Sequence, residues 1–212
     1  MLVALGDSIV HADDSWASWL ARAMDLPLRR LSANGARSVA VLDQLPALAG
    51  ERYAVACLSV GVNGPLFAWD AEAFRQRLST IVAAAGAAAE RVVVPTVSRA
   101  LGRFPGSGQV LLRRCDEANA ALMSCGALVI AGDDLHGPRL LQADRIHPTL
   151  EGHLLLADRA AAALGVSPPP SSLPAGPRPV SRGSYYRVAA EQAPRRLAKR
   201  LLGRPFYRDP PG

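Results

Sequence analysis

At 212 residues, half of them hydrophobic but only 5% aromatic, the chain can bury one sizeable core built mostly from Ala, Leu and Val, with an appendage to spare. Its sole lysine is Lys199, which excludes a P-loop, a pyridoxal Schiff base in the body and a receiver domain with its usual lysine. The net charge of +6 sits in the tail, where nine basic residues from Ser167 onward face two acids, leaving residues 1–166 at −1, so the basic balance says nothing of what the body binds.

The first element is Leu2 to Leu5, an apolar run that reads as a strand buried on both faces. It ends in Gly6-Asp7-Ser8, where Gly6 allows a sharp turn and Ser8 stands at the carboxyl end of the strand, the place where open α/β sheets put their ligands. A serine there is a nucleophile if a base reaches it; otherwise the tripeptide is a strand-to-loop turn. After the polar loop His11 to Asp14, Ser15 starts a helix with Trp16, Trp19, Leu20, Ala23 and Met24 on one face, a core-packing pattern that Pro27 closes. Leu28 to Ala33 reads as a second strand running into Asn34-Gly35, and Ser38 caps a helix that turns Val39, Leu42 and Leu45 inward before Pro46.

Tyr53 to Val60 is the clearest buried strand, and it ends in Gly61-Val62-Asn63-Gly64-Pro65. A helix over Asp70 to Ala85, with Phe74, Leu78, Ile81 and Val82 inward, leads to a fourth strand at Arg91 to Thr96. Ser98 to Gly108 is a loop, Gln109 to Ser124 a helix with Leu112, Ala118, Leu122 and Met123 inward, and Ala127 to Ala131 the fifth strand. Gly132 to Asp144 is a further loop, and Asp144-Arg145-Ile146-His147-Pro148 precedes a last helix over Thr149 to Leu164. Strands and helices alternate throughout, which predicts a parallel sheet covered on both faces, with every strand-to-helix loop on one rim.

Composition changes past Val166. Residues 167–184 hold six prolines and read as a linker or strap, and Ala193 to Arg204 as a short basic helix. The expected organisation is an α/β domain over 1–166 and a Pro-rich linker with a basic tail over 167–212. That tail either packs on the body or touches anionic membrane or nucleic acid. Cys57, Cys115 and Cys125 show no metal-like or disulfide pattern, no signal peptide precedes the first strand, and no apolar run reaches membrane-spanning length; a cytoplasmic protein is expected.

Acyl transfer from a serine needs a hydroxyl, a base, a group that orients the base, and donors for the oxyanion. Among four histidines, His147 is the best base, because Asp144 three residues earlier can fold back onto its imidazole; the competing reading pairs Asp144 with Arg145. His153 lies within the last helix and is expected at the surface, while His11 and His136 have no evident orienting acid. The Ser8 backbone N–H, the Gly35 backbone N–H and the Asn63 side-chain amide are candidate oxyanion donors.

Gly6-Asp7-Ser8 after strand one, Asn34-Gly35 after strand two, Gly61-Val62-Asn63 after strand three and Asp144 to His147 before the last helix occur in one order on one rim. In this the chain resembles the SGNH, or GDSL-type, hydrolases over about Met1 to Leu164, and among them a bacterial subgroup with a Ser-Trp-Ala first helix and a basic tail. The resemblance implies a flavodoxin-like three-layer sandwich on a five-stranded parallel sheet. It implies a Ser8–His147–Asp144 triad and an oxyanion hole of Ser8, Gly35 and Asn63. It implies esterase, lipase-like or deacetylase activity on a small-molecule ester, with no cofactor, no metal and no obligate protein partner. The third block departs from the family's Gly-x-Asn-Asp, with Gly64 in place of the second acid. A member without strong catalysis, serving as a binding or scaffold protein through its tail, is the alternative.

Overall fold

The structure, a computed structural model, describes residues 1–67, 69–103 and 108–173. One sheet holds β1 (Leu2–Gly6), β2 (Leu28–Arg30), β3 (Tyr53–Ser59), β4 (Ala89–Pro95) and β5 (Leu128–Ile130), all paired in parallel in the order 2-1-3-4-5, the flavodoxin-like arrangement. Around it run α1 (Ser8–His11), α2 (Trp16–Ala23), α3 (Ser38–Leu42), α4 (Ala71–Ala88), α5 (Gly108–Met123), α6 (Gly137–Leu140) and α7 (Leu150–Leu164). α2 and α7 pack together on one side of the sheet, and α3, α4 and α5 on the other. The fold class expected from the sequence is the one found.

β1 and β3 lie in the middle of the sheet, which is why their apolar runs are unbroken: both faces are covered by helices. β2 is shorter than Leu28 to Ala33, although two further backbone bonds, Leu31 N–H to Ala4 O and Ala33 N–H to Gly6 O, keep the chain alongside β1 past its end. Three helix starts follow the capping logic of the sequence, whereas Ser38, expected as a cap, is the first residue of α3 and Arg37 stands at the cap position without a side-chain bond. Ser15, Asp70 and Thr149 each accept a backbone N–H from the first turn that follows them, and Gly165 ends α7 in the left-handed region.

Two inward faces differ from expectation. α3 stops after five residues and hands over to a 3-10 turn, Leu45–Leu48, around Pro46; Val41 and Leu48 are buried and Val39 is 48% exposed. α5 buries Leu111, Cys115, Ala118, Ala121 and Leu122, so the stripe begins one residue before Leu112 and leaves Met123 exposed. The expected loop over 132–144 contains the single turn α6. Trp16 and Trp19 are core residues, as predicted.

Past α7 the chain packs back through a 3-10 turn, Pro170–Ser172, whose Pro170 is buried and whose Ser171 N–H donates to Asp158. The expected short helix at Ala193 to Arg204 and the rest of the basic tail lie outside the described residues. Among the described residues no helix is long and apolar enough to cross a membrane.

Candidate active site

β1 and β3 are neighbours although β2 intervenes in sequence, so the order of the sheet reverses at their carboxyl ends and opens a crevice there. The loop carrying Ser8 leaves β1, and the loop carrying Asn63 leaves β3. Gly6 makes the turn at φ +120°, and a Cβ on it would stand 1.8 Å from the Ser59 carbonyl oxygen. Its backbone is gripped by one side chain: Gln44 Oε1 accepts from the Gly6 N–H at 2.8 Å and Nε2 donates to the Gly6 carbonyl at 3.0 Å. An amide that offers one donor and one acceptor to a single residue does what a neighbouring strand would do.

Ser8 opens α1, with Asp7 as its cap. Asp7 is fully buried; Oδ1 accepts from the Ile9 N–H at 3.0 Å and the Ser59 hydroxyl at 2.8 Å, whereas Oδ2 has no partner among the described residues. Burial pushes its carboxyl up to about 6, against the pull of the Ile9 N–H, the Ser59 hydroxyl and the charge of His147. The sign of the consequence follows. Between the ordinary 3.8 and about 6 the native state holds the proton more tightly than the unfolded chain, so this group's contribution to stability falls as pH rises through that window. An asparagine keeps the acceptor and never ionises. Asp7→Asn should therefore gain on wild type by up to roughly 3 kcal/mol between about pH 4 and pH 7, read from urea unfolding of both proteins at the two pH values. A difference that does not change with pH would contradict it.

Asp144 and His147 sit at the tip of a short hairpin closed by an antiparallel bridge between Leu141 and Pro148 and by the Gln142 N–H to His147 O bond. Arg145 turns the tip at φ +62°, an uncommon backbone for a residue with a Cβ. Asp144 Oδ1 accepts from the Ile146 and His147 N–H groups at 2.9 and 3.0 Å, and Oδ2 takes the His147 Nδ1–H at 2.7 Å. That bond leaves Nε2 as the acceptor for the Ser8 hydroxyl, 2.8 Å away. Burial alone would raise the Asp144 carboxyl, but the bonds and charge of His147 and the two backbone N–H groups hold it below the usual carboxylate range. The Asp144 bond in turn raises the His147 imidazole against its desolvation, with the charges of Asp144 and Asp7 adding to it.

Of the three candidate oxyanion donors, the Ser8 N–H and the Gly35 N–H find no acceptor among the described residues. Gly35 is exposed, at φ +75°. Asn63 is buried and spends one Nδ2 proton on the carbonyl of Ala36, at 3.0 Å, which fastens the loop after β3 to the residue beside Gly35.

His153 is not a surface residue. It is buried where α7 meets α2, and Nδ1 accepts the Trp16 N–H at 3.3 Å; burial holds its pKa down at about 4. Burial pushes the Cys57 thiol up and that of Cys115 to about 12, so neither supplies a thiolate near neutral pH. Gln44 and the Ser59 hydroxyl carried no signal in the sequence as parts of this site, because each acts through a contact made only in the folded chain.

Similar folds are found among solved structures. EstA, a psychrotrophic esterase from Pseudoalteromonas sp., has a TM-score of 0.58 at 18% identity, over 77% of this chain and 96% of that one. A member of the lipolytic protein G-D-S-L family from Veillonella parvula gives 0.58 at 16%, over 76% and 96%. Axe2, an acetylxylan esterase from Geobacillus stearothermophilus, gives 0.60 at 13%, over 78% and 94%. At these identities the likeness shows the fold. A search of curated proteins by sequence returns no match. Residues 4–155 match the GDSL-like Lipase/Acylhydrolase family, well over half of the chain, and the protein therefore belongs to that family of hydrolytic enzymes.

Proposed function

We propose that the protein hydrolyses a carboxylic ester of an acetyl or other short acyl group through a covalent intermediate on Ser8. The observation that carries this reading is the unbroken chain of hydrogen bonds from Asp144 through His147 to the Ser8 hydroxyl. His147 Nε2 takes the Ser8 proton as Oγ bonds to the carbonyl carbon. The negative charge that forms on the carbonyl oxygen meets the Ser8 N–H, the Gly35 N–H and the second Nδ2 proton of Asn63. His147 then passes its proton to the departing alkoxide, which leaves the acyl group on Ser8. Water, deprotonated by the same nitrogen, attacks that ester, and the acid and the free serine result. Asp144 holds the imidazole in the tautomer that each step requires.

A fluorophosphonate probe followed by mass spectrometry tests the nucleophile, and a panel of p-nitrophenyl esters from acetate to decanoate, with acetylated xylo-oligosaccharides, tests the acyl group. The expected result is one adduct per chain on the peptide carrying Ser8, and the highest kcat/KM on the shortest esters. Turnover with no adduct at Ser8 removes that residue from the mechanism.

A further inference from the structure

The turn after Asn63 carries Gly64 in place of the second acid of the Gly-x-Asn-Asp pattern that the chain resembles, and the structure supplies a physical reason. A Cβ on Gly64 would stand 2.8 and 3.0 Å from Cζ3 and Cε3 of Trp69, so the indole occupies the space that an acidic side chain would need. The ring is itself fixed. Its Nε1–H donates to Glu117 Oε2 at 2.6 Å, and it stacks at a tilt of 41° on Phe74, 5.1 Å between centroids. One turn earlier on α5, Arg114 Nη1 donates to the carbonyls of both Pro65 and Phe67, at 2.9 Å each. Arg114 and Glu117 are three residues apart on one helix, so they reach the same side. Between them they hold both ends of the turn. The Phe67 ring lies 5.8 Å beneath the Arg37 guanidinium, and Arg37 belongs to the Gly35 loop, so the grip extends from α5 through the turn to the second candidate donor.

We infer that Arg114, together with the Trp69–Glu117 pair, is a positioning residue for the Asn63 amide, replacing from a neighbouring helix the anchor that the turn itself lacks. The inference rests on the reading of Asn63 as an oxyanion donor. Asn63 already spends one amide proton on Ala36, so its second proton is aimed by the backbone that follows it, and the two Arg114 bonds to carbonyl oxygens and the indole over Gly64 set that backbone. Such an amide acts on the transition state more than on bound ester, and a donor displaced by about 1 Å loses much of its effect.

The test is steady-state kinetics on p-nitrophenyl acetate, with thermal unfolding as control, for wild type, Ser8→Ala, Arg114→Ala, Arg114→Lys and Trp69→Phe. Arg114→Ala should lower kcat about 10- to 100-fold with KM within about twofold. Arg114→Lys should recover part of the loss, since one ammonium can still meet a carbonyl. Trp69→Phe, which keeps a ring over Gly64 and loses the bond to Glu117, should lose less than Arg114→Ala. A core variant within α3, Val41→Ala, provides a protein of lowered melting temperature whose kcat at 25 °C should stay at the wild-type value. Ser8-dependent wild-type turnover together with an unchanged kcat in Arg114→Ala overturns the inference alone; so does a loss in Arg114→Ala that Val41→Ala reproduces at an equal fall in melting temperature. Wild-type turnover that survives Ser8→Ala overturns the reading of the site, and the inference with it.

Discussion

Alanine at Ser8 should remove ester turnover, with a loss on the order of 10⁶ in kcat, while thermal unfolding stays where it is. Ser8 is only partly buried and its hydroxyl is held by one side-chain bond, to His147, so the fold does not depend on it. Asparagine at Asp144 is the more telling change. The side chain can keep its Oδ1 bonds to the Ile146 and His147 N–H groups, but an amide N–H facing Nδ1 would turn the imidazole to the tautomer that cannot accept from Ser8. A loss of about 10⁴ in kcat is expected. The pH dependence moves as well. In wild type, kcat/KM should fall as pH drops through the raised His147 pKa, because a protonated Nε2 cannot take the serine proton. The Asp144 bond is the largest of the forces that raise it. Without that bond the desolvation of the ring prevails, and the acid limb of the residual activity should shift to lower pH. An acid limb that stays put in Asp144→Asn would assign it to another group.

Alanine at Gly6 should leave no folded protein, a destabilisation of about 4 kcal/mol or more. The clash is with backbone: 1.8 Å to the Ser59 oxygen and 2.7 Å to its carbonyl carbon. Neither side can retreat. Gly6 and Ser59 are register partners in the two central strands, both buried on both faces, and Gln44 fixes Gly6 from behind. Gly35→Ala is the control. Its φ of +75° is also left-handed, but nothing lies within 4 Å of the added methyl, so the cost should be on the order of 1 kcal/mol, and the N–H assigned to the oxyanion in the proposed mechanism remains. Circular dichroism and denaturant unfolding of the two variants separate the cases. A cooperative, native-like transition in Gly6→Ala would show that the sheet can open at this point.

The strands were legible because a sheet covered on both faces needs unbroken apolar runs, and no other element of that length with glycine at its end competes for Leu2 to Leu5 or Tyr53 to Val60. The rim residues were legible for a related reason. A parallel sheet sends all its carboxyl ends to one side, so Ser8, Gly35 and Asn63 had to share a rim whatever the details of the helices. The helix faces were less legible. α3 is too short to define a phase and is cut by Pro46, and in α5 an Ala- and Leu-rich sequence suits two adjacent stripes, so packing against α4 selects between them. Least legible were the groups that act by reaching: Gln44 onto Gly6, Arg114 onto the turn after Asn63, and His153 onto Trp16. Glutamine, arginine and histidine on helices and loops are ordinarily solvated, and only the tertiary fold shows which of them has a backbone group to serve.

The imidazole of His147 meets the Ser8 alcohol across 139 residues of chain, and a little further along, within α7, His153 meets Trp16 across 137. α7 thus follows directly on the hairpin that carries His147 and itself covers α2. During translation every loop of the crevice, the hairpin at 141–148 included, is synthesised before α7, so the alcohol and the imidazole are both present before the helix that follows the hairpin can pack. On the proposed mechanism a chain that stops before Leu150 holds Ser8, Asp144 and His147 and is still expected to lack turnover, because the helix that packs behind the hairpin and covers α2 is missing.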